Sequence, residues 1–131
     1  NVPSLLSLPL LGFMSARDPL YVDTRRFVLS RRNPMMLFGR HTAGVGSPHL
    51  GFGRIWPLAT VVRALTSDDD AEIGACLQQL VASSAGTGVL HESYYPDQPH
   101  RYTRPWFAWV GALFGELVLK LVLERPHLLF D

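Results

Sequence analysis

The chain has 131 residues, one cysteine, few charges and almost no net charge, and each shortage closes off a class of explanation. Cys76 alone can form no internal disulfide, and within an apolar helical pattern it reads as a small core residue. A formal net charge of +1 offers no field strong enough to argue for nucleic acid. No uncharged apolar run reaches the roughly 18 residues a membrane helix needs. Trp106 to Leu123 comes nearest, but Glu116 and Lys120 interrupt it, which suits a buried helix better. There is no initiator Met, no basic-then-apolar leader and no Asn-x-Ser/Thr sequon. The glycines between Gly39 and Pro57 lack the Gly-Lys-Ser/Thr of a phosphate loop, and His91 lacks a second His four residues on, so neither reads as a nucleotide or zinc motif.

What is there is apolar and helical in period. With 47% apolar residues the chain can make one modest globular domain. The spacing predicts five helices and no strand. The first covers about Pro3 to Leu11. The second is capped by Asp18, has Pro19 at its first position and runs to about Ser30. The third covers Pro57 to about Thr66. The fourth starts at Ser67 with Asp68, Asp69 and Asp70 in its first turn, where the helix dipole favours negative charge. The fifth runs from Pro105, capped by Thr103 or Arg104, to about Leu123, and Pro126 forbids its continuation. The first, third and fifth are apolar on most faces and should be buried; the second and fourth are amphipathic and should cover them. That alternation predicts an all-α chain forming an arc of an α/α toroid.

The connections alternate too. Short links follow the first and third helices, whereas Arg31 to Trp56 and Gly86 to Arg104 are long. Antiparallel packing brings both long loops, and Asn1, to one end of the layer, where binding groups usually sit. Irregular loops covering roughly a third of the chain are too much for a free-standing small domain, so a piece of a larger domain is expected.

The second long loop carries the chemistry. Glu92 stands between His91 and Ser93 and is followed by tyrosines, prolines and arginines. A carboxylate near aromatic faces and guanidinium groups suits general-base work on a polyhydroxylated substrate. The plainer reading, a surface ion pair with Arg101 or Arg104 or a helix cap, stays open beside it. His91 reads as a hydrogen-bonding loop residue. Arg104 either binds a substrate hydroxyl or braces Glu92; Trp106 can stack on a sugar ring, while Trp109 reads as core. In the first long loop His49 and Trp56 sit where a substrate can touch them, and Arg40 and His41 have weaker claims.

The blocks N-V-P-S-L-L-S-L-P at 1–9, D-P-L-Y with T-R-R-F-V-L-S through Ser30, G-S-P-H at 46–49, I-W-P at 55–57, A-G-T-G with H-E-S, and T-R-P-W-F-A-W together resemble glycoside hydrolase family 125. The resemblance implies an (α/α)6 toroid and an inverting exo-α-1,6-mannosidase, of which residues 1–131 form roughly the C-terminal third of a single catalytic domain. It implies that Glu92 is the general base and that the general acid is an Asp upstream of this chain; Asp23, Asp97 and Glu116 are not assigned that part. Two carboxyls about 6.5–9.5 Å apart leave room for the attacking water. His49, Trp56, His91, Ser93, Arg104 and Trp106 make up the expected substrate-binding set. Tyr94 stands where the family often has Phe, a change bearing on sugar stacking and not on reaction class. No metal or cofactor is implied; the expected partners are α-1,6-linked mannosides and the upstream part of the same domain. On this reading the isolated chain should be inactive and poorly folded. The alternatives are a non-catalytic carbohydrate-binding or helical interaction module, and another (α/α)6 enzyme acting on a different glycoside.

Overall fold

The computed structural model describes residues 4–130. Asn1 and the expected start of the first helix at Pro3 lie outside them. Among the described residues the chain forms four α-helices and four short strands: α1 (Pro19–Val28), β1 (Met36–Phe38), β2 (Ala43–Val45), α2 (Pro57–Leu65), α3 (Asp70–Ser83), β3 (Ser93–Tyr95), β4 (Gln98–Thr103) and α4 (Ala108–Glu124). The strands pair as two antiparallel hairpins, β1 with β2 and β3 with β4.

This corrects the expected all-α toroid arc of five helices. Both long loops fold into hairpins, because backbone N–H and C=O groups held against a packed layer need partners. Three of the four strands have three residues each, too few to show the two-residue alternation that marks a strand in sequence. The first expected helix is reduced to a 3-10 turn, Leu5–Ser7, followed by irregular turns. Pro9 accounts for the loss: it has no N–H to offer Leu5, whose carbonyl accepts from Leu8 instead. The last helix begins at Ala108 rather than Pro105, capped by the backbone at Phe107 and not by the side chain of Thr103 or Arg104.

The other helix starts follow local chemistry. Asp18 accepts a hydrogen bond from the Leu20 amide with Pro19 next in line, and Asp69 accepts from the Ala71 amide. Helix α2 is the centre: every residue from Pro57 to Leu65 except Arg63 is buried. Leu58, Val61 and Leu65 pack with Ile73, Cys76 and Leu80 of α3 and Val110, Leu117 and Leu121 of α4. Burial pushes the Cys76 thiol up to about 11, as suits a core residue. Ala59 and Val62 of α2 pack with Leu6, Val28, Met36 and Val45. Each such aliphatic side chain contributes about 1.5–3 kcal/mol by leaving water. Helix α4 departs from its expected burial, since only Val110, Leu117 and Leu121 are buried and Leu119, Val122 and Leu123 are exposed.

Ile55 stitches the hairpins together. It bridges Gly46 on one side and Tyr94 on the other, exchanging both backbone hydrogen bonds with Tyr94 at 2.8 and 3.0 Å. At Gly46 a Cβ would collide with the Arg54 carbonyl, and at Gly44 it would come within 2.6 Å of Ile55 Cγ2. Glycine at 46 lets backbone approach backbone, and glycine at 44 leaves room for the Ile55 side chain.

Candidate active site

The row Gly46–Ile55–Tyr94 places its chain neighbours side by side. Ser47 follows Gly46, Trp56 follows Ile55, and Glu92 lies two residues before Tyr94. With Arg104 at the end of the second hairpin and the start of α4, they enclose a cleft of about 410 Å³ lined by Ser47, His49, Trp56, Glu92, Arg104, Phe107 and Trp109.

Glu92 is held by backbone as the second hairpin begins: its amide donates to the Thr103 carbonyl at 3.1 Å. Its carboxylate is 5% exposed, and Oε1 lies 3.1 Å from Arg104 Nε. Among the described residues no other cation or hydrogen-bond donor reaches that carboxylate, which leaves the second oxygen free. Arg104 is exposed and sits in the left-handed backbone region with φ 48°, a conformation that costs a non-glycine residue about 1–3 kcal/mol. Its guanidinium lies 5.9 Å from the centre of the Phe107 ring. On the opposite side Ser47, itself buried, accepts from the His49 amide at 3.2 Å, and His49 meets Trp56 edge to face at 6.1 Å. Trp56 is buried, and among the described residues its Nε1 has no hydrogen-bond partner.

The expected substrate-binding residues divide. His49, Trp56 and Arg104 come together with Glu92 on the cleft wall. His91 is fully buried and stacked on Tyr102 at 3.6 Å, with Nδ1 donating to the Pro105 carbonyl at 2.8 Å and Nε2 3.2 Å from the Ser84 carbonyl. Ser93 is equally buried and shares a 2.6 Å hydrogen bond with Thr103 across the hairpin. Both brace the backbone on either side of Glu92. Trp106 lines a separate apolar groove with Leu80, Val81, Val89 and Phe114. Arg40 and His41 lie around the hairpin tips beside Asp97 and Gln98, apart from this cleft.

Three residues of the cleft escaped the sequence reading: Ser47, Phe107 and Trp109. Trp109, expected in the core, is 48% exposed. Trp106 and Trp109 are three apart and would share a face of one continuous helix. Because α4 begins after Trp106, the two point into different depressions. Tyr94 also departs from expectation. It is buried, its hydroxyl accepts from Gln79 Nε2 at 3.0 Å, and burial pushes it up to about 12, so it has no face to offer a sugar. Among the described residues no three of His, Cys, Asp and Glu gather as a metal set, and no helix is long and apolar enough to cross a membrane.

Residues 1–119 match the glycoside hydrolase family 125 signature, described as metal-independent alpha-mannosidase. The chain belongs to glycoside hydrolase family 125. It is 51% identical over 130 residues to the meiotically up-regulated gene 157 protein of Schizosaccharomyces pombe, covering 98% of this chain and 26% of that protein. The structure is similar, with a TM-score of 0.89 and 46% identity, to a Streptococcus pneumoniae metal-independent alpha mannosidase solved in a non-productive complex with α-1,6-mannobiose. That match covers 95% of this chain and 29% of the bacterial one. The chain therefore spans between a quarter and a third of the length of these relatives.

Proposed function

We propose that this family 125 chain supplies the general base of an inverting exo-α-1,6-mannosidase, with Glu92 as that base. The observation that carries the reading is a nearly dry carboxylate, held on one oxygen by Arg104 and free on the other, in a cleft walled by His49, Trp56, Phe107 and Trp109. The α-1,6-mannobiose bound by the pneumococcal relative adds support for the linkage.

In this mechanism the free Glu92 oxygen takes a proton from a water on the face of the sugar opposite the departing oxygen. As that proton leaves, the water oxygen attacks the anomeric carbon, and an acid from the remainder of the protein, its carboxyl about 6.5–9.5 Å from that of Glu92, protonates the leaving oxygen. The product is β-mannose. Arg104 keeps Glu92 aimed, while His49 and Trp56 contact the sugar. His91 and Ser93 serve by fixing the backbone around Glu92, and Trp106 stands aside from the reacting sugar.

The test is hydrolysis of α-1,6-mannobiose by the full-length protein and its Glu92→Gln variant, with the first-formed anomer followed by NMR. Wild type should release β-mannose, and the variant should lose about 10²–10⁴-fold in rate while staying folded. Undiminished turnover by a folded variant would move the base elsewhere. A folded wild type that binds mannobiose without cleaving it would return the protein to the carbohydrate-binding reading.

A further inference from the structure

Three consecutive residues face three others across the second hairpin. The register pairs Ser93 with Thr103, and continuing it sets Glu92 opposite Arg104 and His91 opposite Pro105. A side chain joins each position. The Ser93 and Thr103 hydroxyl oxygens lie 2.6 Å apart, Glu92 Oε1 lies 3.1 Å from Arg104 Nε, and His91 Nδ1 lies 2.8 Å from the Pro105 carbonyl oxygen. Strand β4 stops at Thr103, whose carbonyl accepts the Glu92 amide. Beyond it the two segments are joined through side chains.

Arg104 is the residue this arrangement has to hold. Its side chain is 64% exposed, so packing does not aim its guanidinium at Glu92. The backbone has to do so, and that backbone is strained on two counts. Its φ is 48°, and a following proline favours an extended predecessor. Such a conformation persists only where its surroundings over-determine it. On one flank Thr103 is fixed by the Glu92 amide and the Ser93 hydroxyl. On the other flank Pro105 has no N–H to offer, and its carbonyl is met by His91. Among the described residues no other hydrogen bond reaches the backbone of residues 104–106.

The surroundings of His91 suit that task. A carbonyl oxygen only accepts, so Nδ1 carries the proton that reaches Pro105. The ring is fully buried and stacked on Tyr102 of β4 at 3.6 Å. Its Nε2 faces the exit turn of α3, 3.2 Å from the Ser84 carbonyl oxygen and 3.4 Å from the Thr87 hydroxyl. With the proton on Nδ1, Nε2 is an acceptor, and the Thr87 hydroxyl can donate to it. The ring is thus anchored between α3 and β4 and presents one N–H to the turn after Arg104. We propose that His91 is a positioning residue: through the Pro105 carbonyl it holds Arg104 in the left-handed conformation and so aims Arg104 at Glu92. The catalytic consequence rests on the proposed role of Glu92; the conformational one does not.

The experiment compares full-length wild type with His91→Phe, which keeps the stacked ring and loses the N–H, and His91→Asn, whose amide can replace that N–H. Melting temperature reports that each is folded. With α-1,6-mannobiose, His91→Phe should lower kcat about 10–10²-fold and leave KM within about twofold, and His91→Asn should recover most of the loss. In an Arg104→Gln background His91→Phe should cost no more than about twofold, because the residue it acts through is gone. Crystal structures read the same proposal without turnover. In His91→Phe, Arg104 should leave the left-handed region and its Nε should stand more than about 4 Å from Glu92. Losses that simply add across His91 and Arg104, a loss in His91→Asn as large as in His91→Phe, or an Arg104 unmoved in the phenylalanine variant would overturn the proposal. Should mannobiose prove no substrate, a displaced Arg104 in folded His91→Phe upholds the positioning role and removes only its catalytic consequence. Should phenylalanine prevent folding, His91→Gln, whose amide reaches toward the Nε2 side, takes its place with the same expectations.

Discussion

From its neighbours alone Glu92 was open to two readings, a base or one half of a surface ion pair, and the fold buries it beside a cation. Sequence offered both Arg101 and Arg104 as ion-pair partners for Glu92 while giving only Arg104 a place in the site, and the fold separates them: Arg104 pairs with Glu92 while Arg101 lies on Tyr95. The tryptophans separate in the same way. Trp109 lines the cleft that holds Glu92, and Trp106 lines another groove. In the full-length protein, Trp109→Ala should raise the KM for α-1,6-mannobiose about tenfold, the loss of one good aromatic contact. Trp106→Ala should leave KM within about twofold, since it removes no contact in the cleft. Steady-state kinetics on both variants decides, and the reverse ranking would reassign the stacking residue.

Among the elements, those with local signals were read well. Asp18–Pro19 and Pro57 carry their instruction within a few residues, whereas α3 starts at Asp70 and not Ser67, because Asp69 takes the capping position and leaves Asp68 outside the first turn. The acidic start also builds something the pattern did not disclose. Glu72, half-buried, receives Arg25 from α1 at 2.9 Å, Arg63 from α2 at 2.6 Å and the Ser67 hydroxyl, tying three helices together. Burial is the largest single influence on its carboxyl and pushes it up. The Ser67, Arg63 and Arg25 contacts together outweigh that and hold it below the ordinary carboxylate range. A depressed carboxyl contributes its stability above its unfolded value and loses it as pH falls through the folded one. Glu72→Gln should therefore destabilise the protein at pH 7 by about 2–3 kcal/mol and have little effect at pH values low enough to protonate Glu72 in wild type. Urea unfolding at neutral and acid pH checks both halves. Strands were missed because three of the four have only three residues and the hairpins are steadied by contacts from another segment, as where Ile55 meets Tyr94, so no local window carries a strand period.

At the scale of the whole molecule, α4 is the element left with apolar surface uncovered. Its nearly continuous apolar sequence called for burial on all sides, yet Trp109, Leu119, Val122 and Leu123 are exposed. Contiguous apolar surface of this kind drives association. The 131-residue chain by itself should be oligomeric or bind a hydrophobic dye such as ANS, and Leu119→Lys/Leu123→Lys should shift it toward monomer; light scattering after size exclusion reads the outcome. A monodisperse monomer with no dye binding would show that this face is content in water. The amino-acid sequence by itself determined the starts of α1 and α2, the central burial of α2 and membership of the family, because these rest on local caps, apolar period and ordered motifs. Only the tertiary structure decided that the long loops are hairpins, that Arg104 and not Arg101 faces Glu92, and that Trp109 and not Trp106 lines the cleft. Those outcomes depend on how each hairpin and the start of α4 are held against the helical layer, as through the Ile55 pairing with Tyr94, and strands of three residues carry no period of their own.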